Sequence, residues 1–251
     1  MAELVDALGL GSSGVSREGS SPFTCINNYE KIMTKLLLAL ILAAAPVAAA
    51  PQLKGYNTYD SMGCMLLQEC TDNVKKIRNI QDIKDRYPDS NYASISNEFN
   101  DIIESFDRIG VGVFLADQKY FPVGHRGVYH TVSNNFYLND AFMHRQSTLM
   151  SVTRHEGWHA AQDCMAGTIK NTMIAIIMDE EKVPQIWQNI ASKTYENMPN
   201  AIPWEKEAFW AGKTENMTAR ALNACAAGKM WEVYEPTPLT GLWLKENGYI
   251  D

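Results

Sequence analysis

The sequence predicts an α+β domain, mostly helical, with a small antiparallel sheet just ahead of a long central helix. Three observations carry that reading. Phe99, Ile102, Ile103 and Phe106 recur at three- and four-residue spacing, the period of a buried helix face. Residues 111–138 change to short runs rich in β-branched and aromatic residues, broken by Gly, Pro and Asn. From Gln146 helical spacing returns, with Leu149, Val152, Glu156 and His159 on one face and Gly167 beyond as a stop.

The chain has 251 residues and a net charge of −7, with 46% hydrophobic and 20% charged residues. Those fractions suit a globular domain with a sizeable core and argue against disorder or a polytopic membrane protein. Nucleic acid would call for a basic face, and this composition supplies no such footprint.

The N-terminus divides in two. Met33-Thr-Lys35, a ten-residue apolar run from Leu36 to Ala45, and the small-residue stretch before Pro51 form a signal-peptide pattern over residues 33–49. The run is short for a span, which takes about 20 apolar residues, so no stable membrane span is expected after cleavage. Cutting after Ala49 keeps Pro51 out of the disfavoured position after the cut. Residues 1–32, with Gly11-Ser-Ser-Gly14 and Gly19-Ser-Ser-Pro22, have no periodicity and would bury that signal inside the chain. They resemble the conceptual translation of a leucine transfer-RNA gene, which makes Met33 the expected start. The remainder, residues 50–251, reads as one exported domain. The first fifty residues contribute −1, which leaves −6.

Within that domain, Met65, Leu66, Cys70, Val74 and Ile77 suggest a helix over residues 61–80. The helix around Phe99–Phe106 ends at Gly110. Strands are expected at 111–115, 120–123, 127–132 and 136–138, then the helix over 146–164. Helical pieces follow at 172–178 and at 183–190, with Pro184 in a first turn. A long helix spans 204–229, and the tail from Pro236 reads as an irregular wrap.

The central helix carries His155-Glu156-Gly157-Trp158-His159. Residues four apart share a helix face, so both histidines can offer a ring nitrogen to one metal. Glu156 stands beside them, where a carboxylate can take a proton from activated water. The flanking Val152, Thr153, Ala160 and Ala161 are uncharged, as such a motif wants. A hydrolytic zinc site takes a third protein ligand and keeps a position for water. His125, His130 and His144 all lie upstream, and no further histidine follows His159. That excludes the longer His-x-x-Gly-x-x-His extension.

A carboxylate on a later helix is the other solution. In Glu205-Lys206-Glu207-Ala208, the chain resembles the gluzincin branch of the zincin metallopeptidases, whose ligand Glu lies in a Glu-x-x-Ala type motif. Glu205, Ala208, Phe209 and Gly212 share a face, and the two small residues permit a close approach to the central helix. Glu207 points away by more than a right angle. The spacing prefers Glu205 and keeps Glu207 as the alternative. The resemblance also marks Asn135-Phe-Tyr-Leu-Asn139 as the sheet edge along which an extended substrate binds by strand addition.

The resemblance implies a Zn2+ ion on His155, His159 and Glu205, peptide hydrolysis with Glu156 as general base, and a peptide or protein substrate. Tyr129, His130, Tyr137, Tyr195 and Tyr234 remain open as donors to the developing oxyanion. Arg154 and Gln162 border the motif and are expected to make surface contacts. A non-catalytic binding protein on the same scaffold is the alternative, as is a hydrolase of a non-peptide amide. Four cysteines, Cys64, Cys70, Cys164 and Cys225, suit two disulfides in an oxidising compartment. On one helix Cys64 and Cys70 would stand about 240° apart, so bridges from them to Cys164 and Cys225 are expected.

Overall fold

Near the start of the described residues Thr58 caps a helix. Its side chain accepts the Ser61 N–H at 3.2 Å, while the Ser61 hydroxyl accepts the Thr58 N–H at 3.0 Å. The computed structural model describes residues 57–251, and the leader over 1–32 and the signal peptide over 33–49 lie outside the described residues. The helix so capped, α1 (Tyr59–Leu66), is shorter than its periodicity suggests. Gln68 and Asn73 turn the chain at positive φ, and a three-residue strand follows, β1 (Val74–Lys76). The turn brings Cys70 back onto Cys64, with a Cα–Cα distance of 5.3 Å. Six residues of continuous helix would rise about 9 Å, so the loss of the helix is what makes this bridge possible.

Asn79 caps α2 (Ile80–Arg86), and α3 (Ser96–Ile109) ends where expected, on Gly110 at φ 85°. Three more strands follow: β2 (Gly112–Ala116), β3 (Gly127–His130) and β4 (Asn135–Asn139). The strand expected at 120–123 is instead a 3-10 turn over Gln118–Tyr120 and a loop. The sheet order is β1-β2-β4-β3, with β2 and β4 parallel and the other pairs antiparallel. The sheet is therefore mixed rather than wholly antiparallel, within the expected α+β class. It also places β4 inside the sheet, so Asn135–Asn139 is not a free edge; β3 takes that position.

The central helix, α4 (Gln146–Met165), is buried almost all round from Leu149 to Met165. The sheet covers one side of it, and α6 (Ile202–Lys213) and α7 (Met217–Ala226) cover the other, after the intervening α5 (Gln185–Thr194). The helix expected over 204–229 breaks at Asn216, whose φ of 59° no helix accommodates. Residues 172–178 are not helical. Thr172 has φ 61°, and the Ala175 N–H is drawn 2.9 Å from the Gln162 carbonyl of α4. Beyond α8 (Met230–Val233), the tail is more regular than expected: α9 (Pro238–Glu246) starts on a Thr237 cap with proline in its first turn. No helix among the described residues is long and apolar enough to cross a membrane.

Small residues set the spacing around α4. A Cβ at Gly157 would stand 2.7 Å from Thr218 Cγ2, and one at Gly212 would stand 3.1 Å from the Ser151 carbonyl oxygen. The second bridge, Cys164–Cys225, joins the end of α4 to α7 with a Cα–Cα distance of 6.0 Å. Two bridges are present, then, but each expected partner assignment is replaced: one is local to the N-terminal turn and the other ties two core helices.

Candidate metal centre

One turn of α4 separates His155 from His159, and their Nε2 atoms stand 3.2 Å apart. Glu205, in the first turn of α6, reaches both: Oε2 lies 3.3 Å from His155 Nε2, and Oε1 lies 3.6 Å from His159 Nε2. The closeness of the helices follows from Gly212 and from Ala208, which is fully buried between them. Bonds of about 2.0–2.1 Å at tetrahedral angles put ligand atoms about 3.3 Å apart. The observed triangle has that size, and these three residues form the one His/Cys/Asp/Glu group among the described residues with the geometry to hold a metal ion.

The electrostatics point the same way. Burial pushes His155 down to about 3, with a smaller contribution from Lys213, so its ring is neutral at ordinary pH and keeps a lone pair. Glu205 is fully buried, and a buried carboxylate is costly to ionise unless a positive charge is near. A divalent cation among the three groups supplies it. The residues present therefore fit a divalent metal ion in both spacing and chemistry.

Glu207 belongs to a different network. Its carboxylate accepts Trp158 Nε1–H at 3.0 Å, Gln162 Nε2–H at 2.8 Å, the Ile177 N–H at 3.1 Å and the Met178 N–H at 2.5 Å. Burial pushes it up to about 7, against the pull of these donors. Gln162 also gives its amide N–H to the Trp204 carbonyl, so its Oε1 faces His159 Nδ1 at 2.8 Å. That assignment puts the His159 proton on Nδ1 and turns Nε2 toward the ligand triangle. Gln162 and Arg154 are thus not surface residues. Arg154 is clamped by Glu98, with Nε–Oε1 2.8 Å and Nη2–Oε2 2.5 Å, and Glu98 also accepts the Asn216 N–H at the break between α6 and α7. Periodicity gives no sign of either role, because each depends on partners far along the chain.

Glu156 lies on the sheet side of the triangle and is fully buried. Its Oε2 accepts the Tyr129 backbone N–H at 2.8 Å. β3 can come this close because of Gly127, where a Cβ would stand 2.5 Å from Val152 Cγ1 and 3.4 Å from Glu156 Cγ. Of the five residues open as oxyanion donors, four are engaged away from the triangle. The Tyr129 hydroxyl bonds Asp163, His130 Nδ1 meets the Ser133 hydroxyl, Tyr137 stacks on Phe114, and Tyr234 packs edge-on against Trp158. Tyr195 packs against Phe209, whose ring is 5.1 Å from that of His155.

Comparison of the chain with protein-family models, with curated proteins and with solved structures finds no match.

Proposed function

We propose that this protein is an exported zinc-dependent peptidase in which His155, His159 and Glu205 hold the metal and Glu156 is the general base. The observation that carries the reading is the buried triangle of two histidines and a glutamate, with a second carboxylate fixed beside it. Zinc, when bound, supplies a Lewis acid that makes water acidic and polarises a carbonyl. The chain's own residues do the rest. The Tyr129 N–H holds one oxygen of Glu156, which fixes the carboxylate where it can take a proton from the attacking water and pass it to the leaving amine. Gln162 keeps the His159 proton on Nδ1. Among the described residues β3 pairs only with β4, so β3 is the strand to which an extended substrate would add. The two disulfides accord with an oxidising compartment outside the cytosol.

A purely structural metal site has no use for the Glu156 carboxylate, which favours catalysis over the binding-protein alternative. The test is Glu156→Gln. It should retain zinc and lose chelator-sensitive proteolysis of an unfolded protein substrate by at least about a thousandfold, the size of a lost acid–base step. Undiminished proteolysis by that variant contradicts the assignment.

A further inference from the structure

Two cations sit one residue from glycines packed against the central helix, and neither enters an ion pair among the described residues. Arg126 precedes Gly127, which is pressed against Val152 and Glu156; Lys213 follows Gly212, which is pressed against Ser151 and His155. The pairs 152/156 and 151/155 are neighbouring stripes of one helix. The backbone of Arg126 therefore lies beside the sheet side of α4 and that of Lys213 beside its α6 side. Arg145 is the N-cap residue of α4, a 20-residue helix with no acidic residue in its first turn.

Arg126 is half-buried and Lys213 is exposed at the end of α6, so the first is the more confined charge. Burial and then Arg145 make Arg126 less basic; partial desolvation, then Arg126 and Arg154, act in the same direction on Lys213. Arg154 is neutralised by Glu98, but Arg126 and Lys213 enter no ion pair among the described residues. The Arg126 guanidinium lies over the Phe142 ring, 5.3 Å from its centroid, and its Nε is buried without a hydrogen-bond acceptor. An anion between Arg126 and Lys213 would relieve this mutual repulsion.

We propose that Arg126 and Lys213 form a carboxylate-binding subsite beside the metal triangle, so that the substrates of this centre carry a carboxylate close to the bond that is cut. The subsite rests on the metal reading given above. A substrate carboxylate would complete the ion pairs that the fold leaves open, and charge-assisted contact would select it over its neutral amide. A chain-terminal carboxylate and an acidic side chain offer the same chemistry.

Calorimetric titration of the zinc-loaded protein with 3-mercaptopropanoate and with 3-mercaptopropanamide tests this without a known substrate. Both probes offer a thiolate to the metal, and only the first offers a carboxylate. The acid should bind the wild type about tenfold more tightly than the amide, the size of one charge-assisted hydrogen bond. In Arg126→Gln and in Lys213→Gln the gap should shrink to about threefold or less, with zinc content unchanged. Equal affinities on zinc-loaded wild type, or a gap that survives both substitutions, overturn the subsite alone. A protein that binds no zinc overturns the metal reading, and the subsite with it. Competition by acetylated hexaalanine as free acid, as amide, and as amide with one internal Asp then separates the sources. Stronger competition by the free acid supports a terminal carboxylate, and by the Asp peptide an acidic side chain; equal competition by all three counts against the subsite.

Discussion

Glu205 and Glu207 stand two residues apart on α6 and have opposite surroundings. Glu205 faces two ring nitrogens, while Glu207 faces four N–H donors. Those donors tie α4, α6 and the 171–178 loop together, and Gln162 links them to His159 Nδ1. Replacing Glu207 with Gln removes the charge and turns two of its acceptor positions into donors. Zinc affinity should fall about 10–100-fold, the usual cost of losing an outer partner of a metal-bound histidine. Competition with a chromogenic chelator measures it, and an unchanged affinity would show that the network is independent of the metal. At this scale the motif was legible because helical period alone puts His155 and His159 on one face. That Glu205 rather than Glu207 comes next to the two histidines was legible as a preference, from angular spacing. Gln162 and Glu207 as supports were not, since their roles depend on a loop contact and a helix crossing that no local spacing encodes.

Between elements, the fit of α4 against its neighbours depends on Gly127, Gly157 and Gly212, and its end is fixed to α7 by Cys164–Cys225. The two bridges close loops of very different size, with separations of 61 and 6 residues. Removing the longer one by Cys164→Ser with Cys225→Ser should cost about 2–4 kcal/mol, and removing the shorter one less. Denaturant unfolding of the two double variants compares them, and a larger loss at Cys64–Cys70 would mean that the N-terminal turn, not the helix pair, limits stability. Most helices and three of the four strands could be located from periodicity and breakers. The failures share a cause. Apolar spacing at 61–80, 172–178 and 204–229 marks burial, but positive φ at Gln68, Thr172 and Asn216 interrupts each run, and tertiary hydrogen bonds to Gln162 and Glu98 hold two of the breaks. The strand pairing was hidden as well, because four short apolar runs do not specify which of them lies inside the sheet.

Across the whole molecule, the metal triangle joins α4 to α6 at the centre of the core, and Glu156 joins α4 to the sheet. An ion that binds the folded chain and not the unfolded one stabilises it by mass action. Chelation should therefore lower the melting temperature by several degrees, about the shift expected for a loss of 2–3 kcal/mol in a domain of this size. Readdition of zinc should restore it. Calorimetric scans with and without chelator check this, and coincident transitions would mean that the core closes without a metal. The two disulfides accord with an oxidising compartment.

The most direct measurement of the central claim is the zinc content of the purified protein beside that of Glu205→Gln, by elemental analysis after exhaustive buffer exchange. The account predicts one zinc per wild-type chain and a content well below that in the variant, because two histidines alone hold the ion weakly. No zinc in the wild type, or equal zinc in both proteins, would contradict it.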